Sequence, residues 1–283
     1  MTLFENLTDT GRDAFEVIAR RPDVVLVAID FDGTLAPIVA DPERAFPDPQ
    51  ALAALGRLGS LVGQVAIITG RPARTAVSLG GLAQVPGLER LVVLGQYGVE
   101  RWDAATGTFE IPPVPAAIED VADELPLVLA QAGQPDARIE HKQRAIAVHT
   151  RQLPDPEGAY SVLADPVTEL AARHGLQVEP GRFVLEIRAA SADKGDALNE
   201  LVAEVGAEVV VYAGDDLGDI PAFRAVRGMG ERGLVGIGVY AASEEQPALR
   251  ELADVSCEAT PGVAAWLDAA ADAIEVGSHQ RGL

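Results

Sequence analysis

The chain has 283 residues, 48% hydrophobic and only 5% aromatic, enough apolar material for one large domain or two smaller ones around an aliphatic core. A formal charge of −21 argues against nucleic acid and anionic lipid as partners, and a single cysteine, Cys257, excludes an intrachain disulfide and a cysteine-built metal site. The N-terminus lacks the basic and apolar regions of a secretory signal, and no apolar run is long enough to span a bilayer, so a cytoplasmic protein with no membrane contact is expected.

Short β-branched runs alternate with Ala/Leu-rich stretches of helical period, the pattern of a parallel sheet covered by helices. In chain order, helices are expected near 9–20, 49–59 and 72–80, with strands at Val24–Ile29, Val65–Thr69 and Leu91–Leu94. Val99–Ile111, with the turn Ala104–Gly107, reads as a β-hairpin. A proline-rich junction, IPPVP at 111–115, then opens a different pattern. A helix (116–131), runs at Ala137–His141 and Ala145–Thr150, a second helix (156–174) and runs at Leu176–Glu179 and Phe183–Arg188 predict a small antiparallel sheet backed by helices. The first pattern resumes with a helix at 194–205, strands at Glu208–Ala213 and Leu234–Val239, and helices near 217–226, 247–252 and 262–275. The expected fold class is α/β: a core from 1–111 and 190–283 with a mostly parallel sheet, interrupted by an inserted α/β module at 112–189.

Ligands of open α/β sheets bind beyond the carboxyl ends of the strands, and the polar motifs cluster there. Asp30-Phe31-Asp32-Gly33-Thr34 follows the first strand, and two carboxylates at a buried strand end need a cation or a shared proton. Asp30 is a candidate nucleophile and Asp32 a candidate general acid and base; taken alone, the pair is equally an acidic turn. Thr69-Gly70-Arg71 ends the next strand, where a hydroxyl and approachable backbone suit a phosphoryl group, although a helix cap needs nothing more. Lys194 opens a helix and is either a surface residue or a fixed ammonium facing phosphoryl oxygens. Gly214-Asp215-Asp216-Leu217-Gly218-Asp219 supplies hard oxygen ligands suited to Mg²⁺, or an acidic helix start.

The order of these motifs, D-x-D-G-T, Thr, Lys, then G-D-D-x-x-D, resembles the haloacid-dehalogenase-like superfamily, and DFDGTLAPI, GRFVLEIR and DKGDAL resemble its trehalose-6-phosphate phosphatase family. The resemblance implies a Rossmann-like core with an inserted cap, and Mg²⁺-dependent hydrolysis of trehalose 6-phosphate to trehalose and phosphate through an aspartyl-phosphate. Asp30, Asp32, Thr69 and Lys194 would be catalytic, and the metal would be held by Asp30, the Asp32 main chain, Asp215 and Asp219. Gly33, Thr34, Gly70 and Arg71 would line the bound substrate, while Glu140, Lys142, His149, Arg151 and Glu186 would read the sugar. Gly95–Glu100 resembles a family loop whose glycines let backbone meet the sugar phosphate, although a turn into a hairpin needs no function. His141 and Thr150 stand where the family carries Asp and Tyr, which is expected to touch the specificity surface; Gly218 and Ile220 depart from G-D-D-x-T-D-E beside the metal. The alternatives are a phosphatase of the sucrose-phosphate or mannosylglycerate-phosphate type, or a non-catalytic sugar-phosphate-binding regulator. The only expected partner is the small sugar phosphate, with the protein a monomer or weak homo-oligomer.

Overall fold

The computed structural model describes residues 3–142, 144–189, 193–242 and 247–281. Its contacts divide the chain into two compact units, Met1–Ile111 with Ala192–Leu283, and Pro112–Ser191. The expected exit of the inserted module borders residues 190–192, which lie outside the described residues. Among the described residues, no helix is long and apolar enough to cross a membrane.

The first unit is built on strands β1 (Phe4–Asn6), β2 (Val25–Ile29), β3 (Gln64–Ile68), β4 (Val92–Gly95), β5 (Glu100–Asp103) and β6 (Thr108–Glu110). After the second unit come β11 (Val209–Gly214), β12 (Val235–Ala241) and β13 (Val255–Cys257). They form one sheet in the order β1-β13-β12-β11-β2-β3-β4-β5-β6, parallel from β13 to β4 and antiparallel at both edges. The chain leaves β2 toward β3 and later returns on its other side with β11, so the strand order reverses between β2 and β11. A crevice at such a reversal is where open α/β sheets receive ligands.

Helices α1 (Asp9–Arg20), α2 (Pro49–Gly59), α3 (Ala73–Gly80) and α8 (Ala259–Arg281) cover one face; α6 (Lys194–Val205) and α7 (Ile220–Arg227) cover the other. On β2, Val25, Val27 and Ile29 pack with Ile18, Leu55 and Trp266, while Leu26 and Ala28 pack with Leu198, Leu201 and Phe223. A strand buried on both faces has no solvent side to mark with polar residues, which explains the uninterrupted apolar run.

The second unit carries α4 (Ala116–Gln131) and α5 (Pro156–Arg173) on a four-stranded antiparallel sheet in the order β7-β8-β10-β9. These strands are β7 (Arg138–Lys142), β8 (Ala145–His149), β9 (Leu176–Gly181) and β10 (Val184–Ala189). Ile146, Val148, Leu185 and Ile187 meet Val121, Leu125, Leu163 and Val167 in a core of their own. Alternation sends the residues between them to the opposite face.

Some expected elements change shape. The helix expected at 217–226 is a 3-10 turn, Leu217–Asp219, followed by α7, because Asp216 caps the turn and Pro221 suits only a first helical turn. β1 and β13, three residues each, are too short to show a period in the sequence. The helix expected at 262–275 extends over Ala259–Arg281.

Candidate active site

Asp30 continues the β2 ladder by donating its N–H to Ala213 O at 2.8 Å, which sets it beside the end of β11. The chain then turns back on itself: Leu35 and Ala36 N–H groups both reach Phe31 O, and Gly33 N–H donates to Ala36 O at 2.7 Å. Gly33 has φ +79°, and a Cβ there would fall 2.0 Å from the Asp215 carboxylate, so only glycine fits. Thr34, fully buried, donates its hydroxyl to Asp215 Oδ1 at 3.2 Å.

Lys194 is the first residue of α6, a helix start fixed by the Asp193 side chain accepting from Gly195 and Asp196 N–H. Its side chain is only 4% exposed, and Nζ donates to Asp30 Oδ1 at 2.6 Å and to Asp219 Oδ1 at 2.7 Å. Asp219 Oδ1 also accepts from the Tyr212 hydroxyl at 2.5 Å, and its Oδ2 from the N–H groups of Asp215 and Asp216 at 2.9 and 3.0 Å. Four donors therefore converge on Asp219. It holds the loop that presents Asp215 and anchors Lys194 against Asp30.

Carboxylate oxygens of Asp30, Asp215 and Asp219 lie within 4.8 Å of one another, all three residues buried. Burial pushes the Asp30 carboxyl well above its ordinary pKa, Lys194 opposing and Asp219 adding to the effect. Asp215 is pushed up to about 7 by burial and by the Asp219 and Asp216 charges. Burial alone would lower the Lys194 pKa, but Asp219 and Asp30 outweigh it and raise it. Asp219 goes the other way: burial is overcome by Lys194 and Tyr212, and its pKa is lowered. One ammonium thus serves more carboxylates than it can neutralise. A hard divalent cation against Asp30 and Asp215 would supply the missing positive charge, and an all-oxygen donor set suits Mg²⁺.

Thr69 and Arg71 come from the loop after β3. Thr69 is buried, its N–H on Leu94 O at 2.9 Å and its Oγ1 accepting from Arg71 N–H at 3.1 Å. The Arg71 guanidinium does not stand open for a ligand. It forks onto Asp32, with Nε to Oδ2 at 2.6 Å and an NH₂ group to Oδ1 at 2.7 Å. Gly218 gives its N–H to Asp216 Oδ1 at 2.9 Å, and Ile220 begins α7. Tyr212 is a member of the cluster that motif reasoning missed. Its signal was present, since a tyrosine in the buried run VVVYA must find a partner for its hydroxyl.

In the second unit, Arg138, Glu140 and Lys142 of β7, Ala145, Ala147 and His149 of β8, and Val184, Glu186 and Arg188 of β10 share the face away from the helices. The small alanines of β8 let long side chains lean across it, and Lys142 pairs with Glu186. Glu140 accepts from His149 Nε2 at 2.7 Å and from Arg138 at 2.8 Å. Partial burial opposes its ionisation, but these two bonds outweigh it and lower its pKa. A cavity of about 290 Å³ at this end is lined by Arg138, His149, Arg151, Gln152, Arg182 and Val184. Arg138, Gln152 and Arg182 carried no motif, because they come from separate strand ends and a turn. The expected effect of His141 and Thr150 on this face is not seen. His141 alternates to the side of Ile139, and Thr150 is buried with its hydroxyl on Pro156 O at 2.9 Å.

The fold is shared with a solved haloacid dehalogenase-like hydrolase from Bacteroides thetaiotaomicron, with a TM-score of 0.57 at 16% identity over 89% of this chain and 98% of that one. Comparison with known proteins narrows the class. The profile of the family described as trehalose-phosphatase matches residues 28–256. The trehalose-6-phosphate phosphatase of Escherichia coli (strain K12) is 34% identical over 219 residues, covering 76% of this chain and 78% of that protein. The trehalose-phosphate phosphatase of Mycobacterium marinum is 33% identical over 227 residues, covering 76% of this chain but 55% of that longer protein. A solved structure of Aspergillus fumigatus trehalose-6-phosphate phosphatase shares the fold with a TM-score of 0.73 at 23% identity, over 94% of this chain and 98% of that one. The chain belongs to the trehalose-phosphatase family of phosphoric monoester hydrolases.

Proposed function

We propose that this chain hydrolyses trehalose 6-phosphate to trehalose and phosphate, with the first unit as catalytic core and the second as its specificity cap. The observation that carries the chemistry is the buried triad in which Lys194 bridges Asp30 and Asp219 at the reversal between β2 and β11. A buried ammonium fixed beside a carboxylate can meet phosphoryl oxygens brought to that carboxylate; a surface ion pair has no need of such burial. Relatives whose names specify trehalose phosphate support the substrate.

An Asp30 carboxylate oxygen forms a bond to phosphorus as the bond from phosphorus to the sugar oxygen breaks, giving an aspartyl-phosphate. Asp32 gives its proton to the departing alkoxide, then takes one from the water that attacks phosphorus and frees Asp30. Thr69 and Lys194 donate to phosphoryl oxygens as charge builds on them. Asp30, the Asp32 main-chain carbonyl and Asp215 would hold Mg²⁺, with Asp219 close by. When bound, the ion supplies the positive charge that draws electron density from the phosphoryl group. The loops at Gly33–Thr34 and Gly70–Arg71 border the phosphoryl position. On the second unit, Glu140, Lys142, His149, Arg151 and Glu186 meet sugar hydroxyls; their carboxylates accept and their cationic groups donate. The cytoplasm is the proposed setting.

Phosphate release from a panel of trehalose, sucrose, mannosylglycerate and glucose phosphates in Mg²⁺ tests this. Trehalose 6-phosphate should show the largest kcat/KM, with EDTA abolishing turnover and Mg²⁺ restoring it. A different leading substrate would overturn the sugar assignment; no release from any ester would overturn the catalytic one.

A further inference from the structure

The hydrolytic mechanism leaves two features unexplained: the fork of Arg71 on Asp32, and the segment from Gly95 to Glu100. The Arg71 side chain is 15% exposed, its guanidinium 5.6 Å from the Phe31 ring centroid, while Asp32 is 39% exposed. A guanidinium gripping both carboxylate oxygens fixes the plane of the carboxyl group, which a single-point ammonium cannot do.

The backbone under Arg71 is held from the other segment at every residue. Tyr97 N–H donates to Thr69 O at 3.0 Å, the Gln96 side-chain amide to Gly70 O at 3.1 Å, and Gln96 N–H to Arg71 O at 2.9 Å. Buried Glu100 accepts from Ala73 N–H at 2.8 Å, closing the start of α3, where Pro72 offers no side-chain cap. The Tyr97 ring lies on Gly70, so that a Cβ there would be 2.8 Å from the hydroxyl. Gln96 and Tyr97 both adopt left-handed backbone, φ 49° and 60°, each costing about 1 kcal/mol or more for a non-glycine residue. A turn that only led into the β5–β6 hairpin would not need two consecutive strained residues bonded to Thr69, Gly70 and Arg71.

We infer that Arg71 is the positioning residue of Asp32, and that Gln96 and Tyr97 are the buttress that holds Arg71 in place. This rests on Asp32 being the proton donor and acceptor. Asp32 passes its proton to the ester oxygen as that oxygen leaves phosphorus and recovers one from the attacking water. Arg71 neither gives nor takes a proton; it orients the oxygen that does.

The test is kcat/KM across phosphate monoesters of falling leaving-group pKa, from trehalose 6-phosphate through phenyl phosphate to 4-nitrophenyl and 2,4-dinitrophenyl phosphate. Leaving groups of low pKa depart without a proton. Arg71→Gln should lose roughly 100-fold on the alkyl ester, the scale of a misplaced catalytic group, and progressively less toward dinitrophenyl phosphate. Arg71→Lys should recover little, since an ammonium cannot fork. Gln96→Ala should show the same trend at smaller amplitude, with circular dichroism confirming the fold. A loss by Arg71→Gln that is equal on every ester overturns the positioning role, and an unchanged trend in Gln96→Ala overturns the buttress. Asp32→Asn separates the two readings: it should show the steepest dependence, and a flat profile there would sink the assignment of Asp32 itself.

Discussion

Lysines 194 and 142 each pair with carboxylates, yet they work in opposite surroundings. Lys194 is 4% exposed and touches two acids, one of which, Asp219, collects three further hydrogen bonds; Lys142 is 44% exposed and reaches Glu186 across a row of alanines. In the core cluster, Lys194 and Asp219 are held by other protein groups, so that geometry exists before a ligand arrives. On the open sheet, water competes for each pair, and a sugar hydroxyl can replace a partner at little cost. The contrast teaches that one chain keeps a rigid buried polar cluster and an open face of exchangeable pairs; under the proposed function the first would serve bond breaking and the second recognition.

The contrast can be broken most directly at the proposed nucleophile. Asp30→Asn should lower kcat by about 10³-fold or more, measured as steady-state phosphate release, because an amide cannot form the acyl phosphate. Retained turnover would refute the covalent route. Lys194→Met should cost about 3–5 kcal/mol by denaturant unfolding, since it strands buried carboxylates, whereas Lys142→Met should stay within about 1 kcal/mol. Equal costs would erase the distinction between the two surroundings. Glu140→Ala should reduce kcat/KM roughly 10-fold on the disaccharide phosphate, the value of one or two charge-assisted hydrogen bonds, and leave 4-nitrophenyl phosphate nearly as good a substrate. Equal losses on both esters would remove Glu140 from sugar reading. The smallest effect sharpens the core side: burial pushes the Cys257 thiol up to about 12, so at pH 8 the thiolate is scarce and alkylation should be slow until the protein unfolds. Rapid labelling of the native protein would show that this edge of the core opens.

Much of the architecture was legible because burial leaves a one-dimensional trace. Val24–Ile29 and Glu208–Ala213 read as strands from apolar composition, and both become central strands of the parallel sheet. The polar residues after them were legible as a set, because their order along the chain is specific even where each motif is ambiguous. Other features left no trace of their own. Arg71 was expected to line the bound substrate, and only the folded chain sets its guanidinium on Asp32, 39 positions away. Asp219 read as one more metal acid, yet its surroundings make it the anchor of Lys194 and the loop.

By itself the sequence determined the α/β class, the alternation of strands and helices, and the identities and chain order of Asp30, Asp32, Thr69, Lys194 and Asp215. These follow from local periodicity and side-chain chemistry, which need no partner to be read. Only the tertiary structure decided which carboxylate meets which cation. That choice depends on strand order and on burial, which bring residues 39 and 164 positions apart within hydrogen-bonding distance and strip the buried pair of the water that would otherwise make every such pairing equivalent.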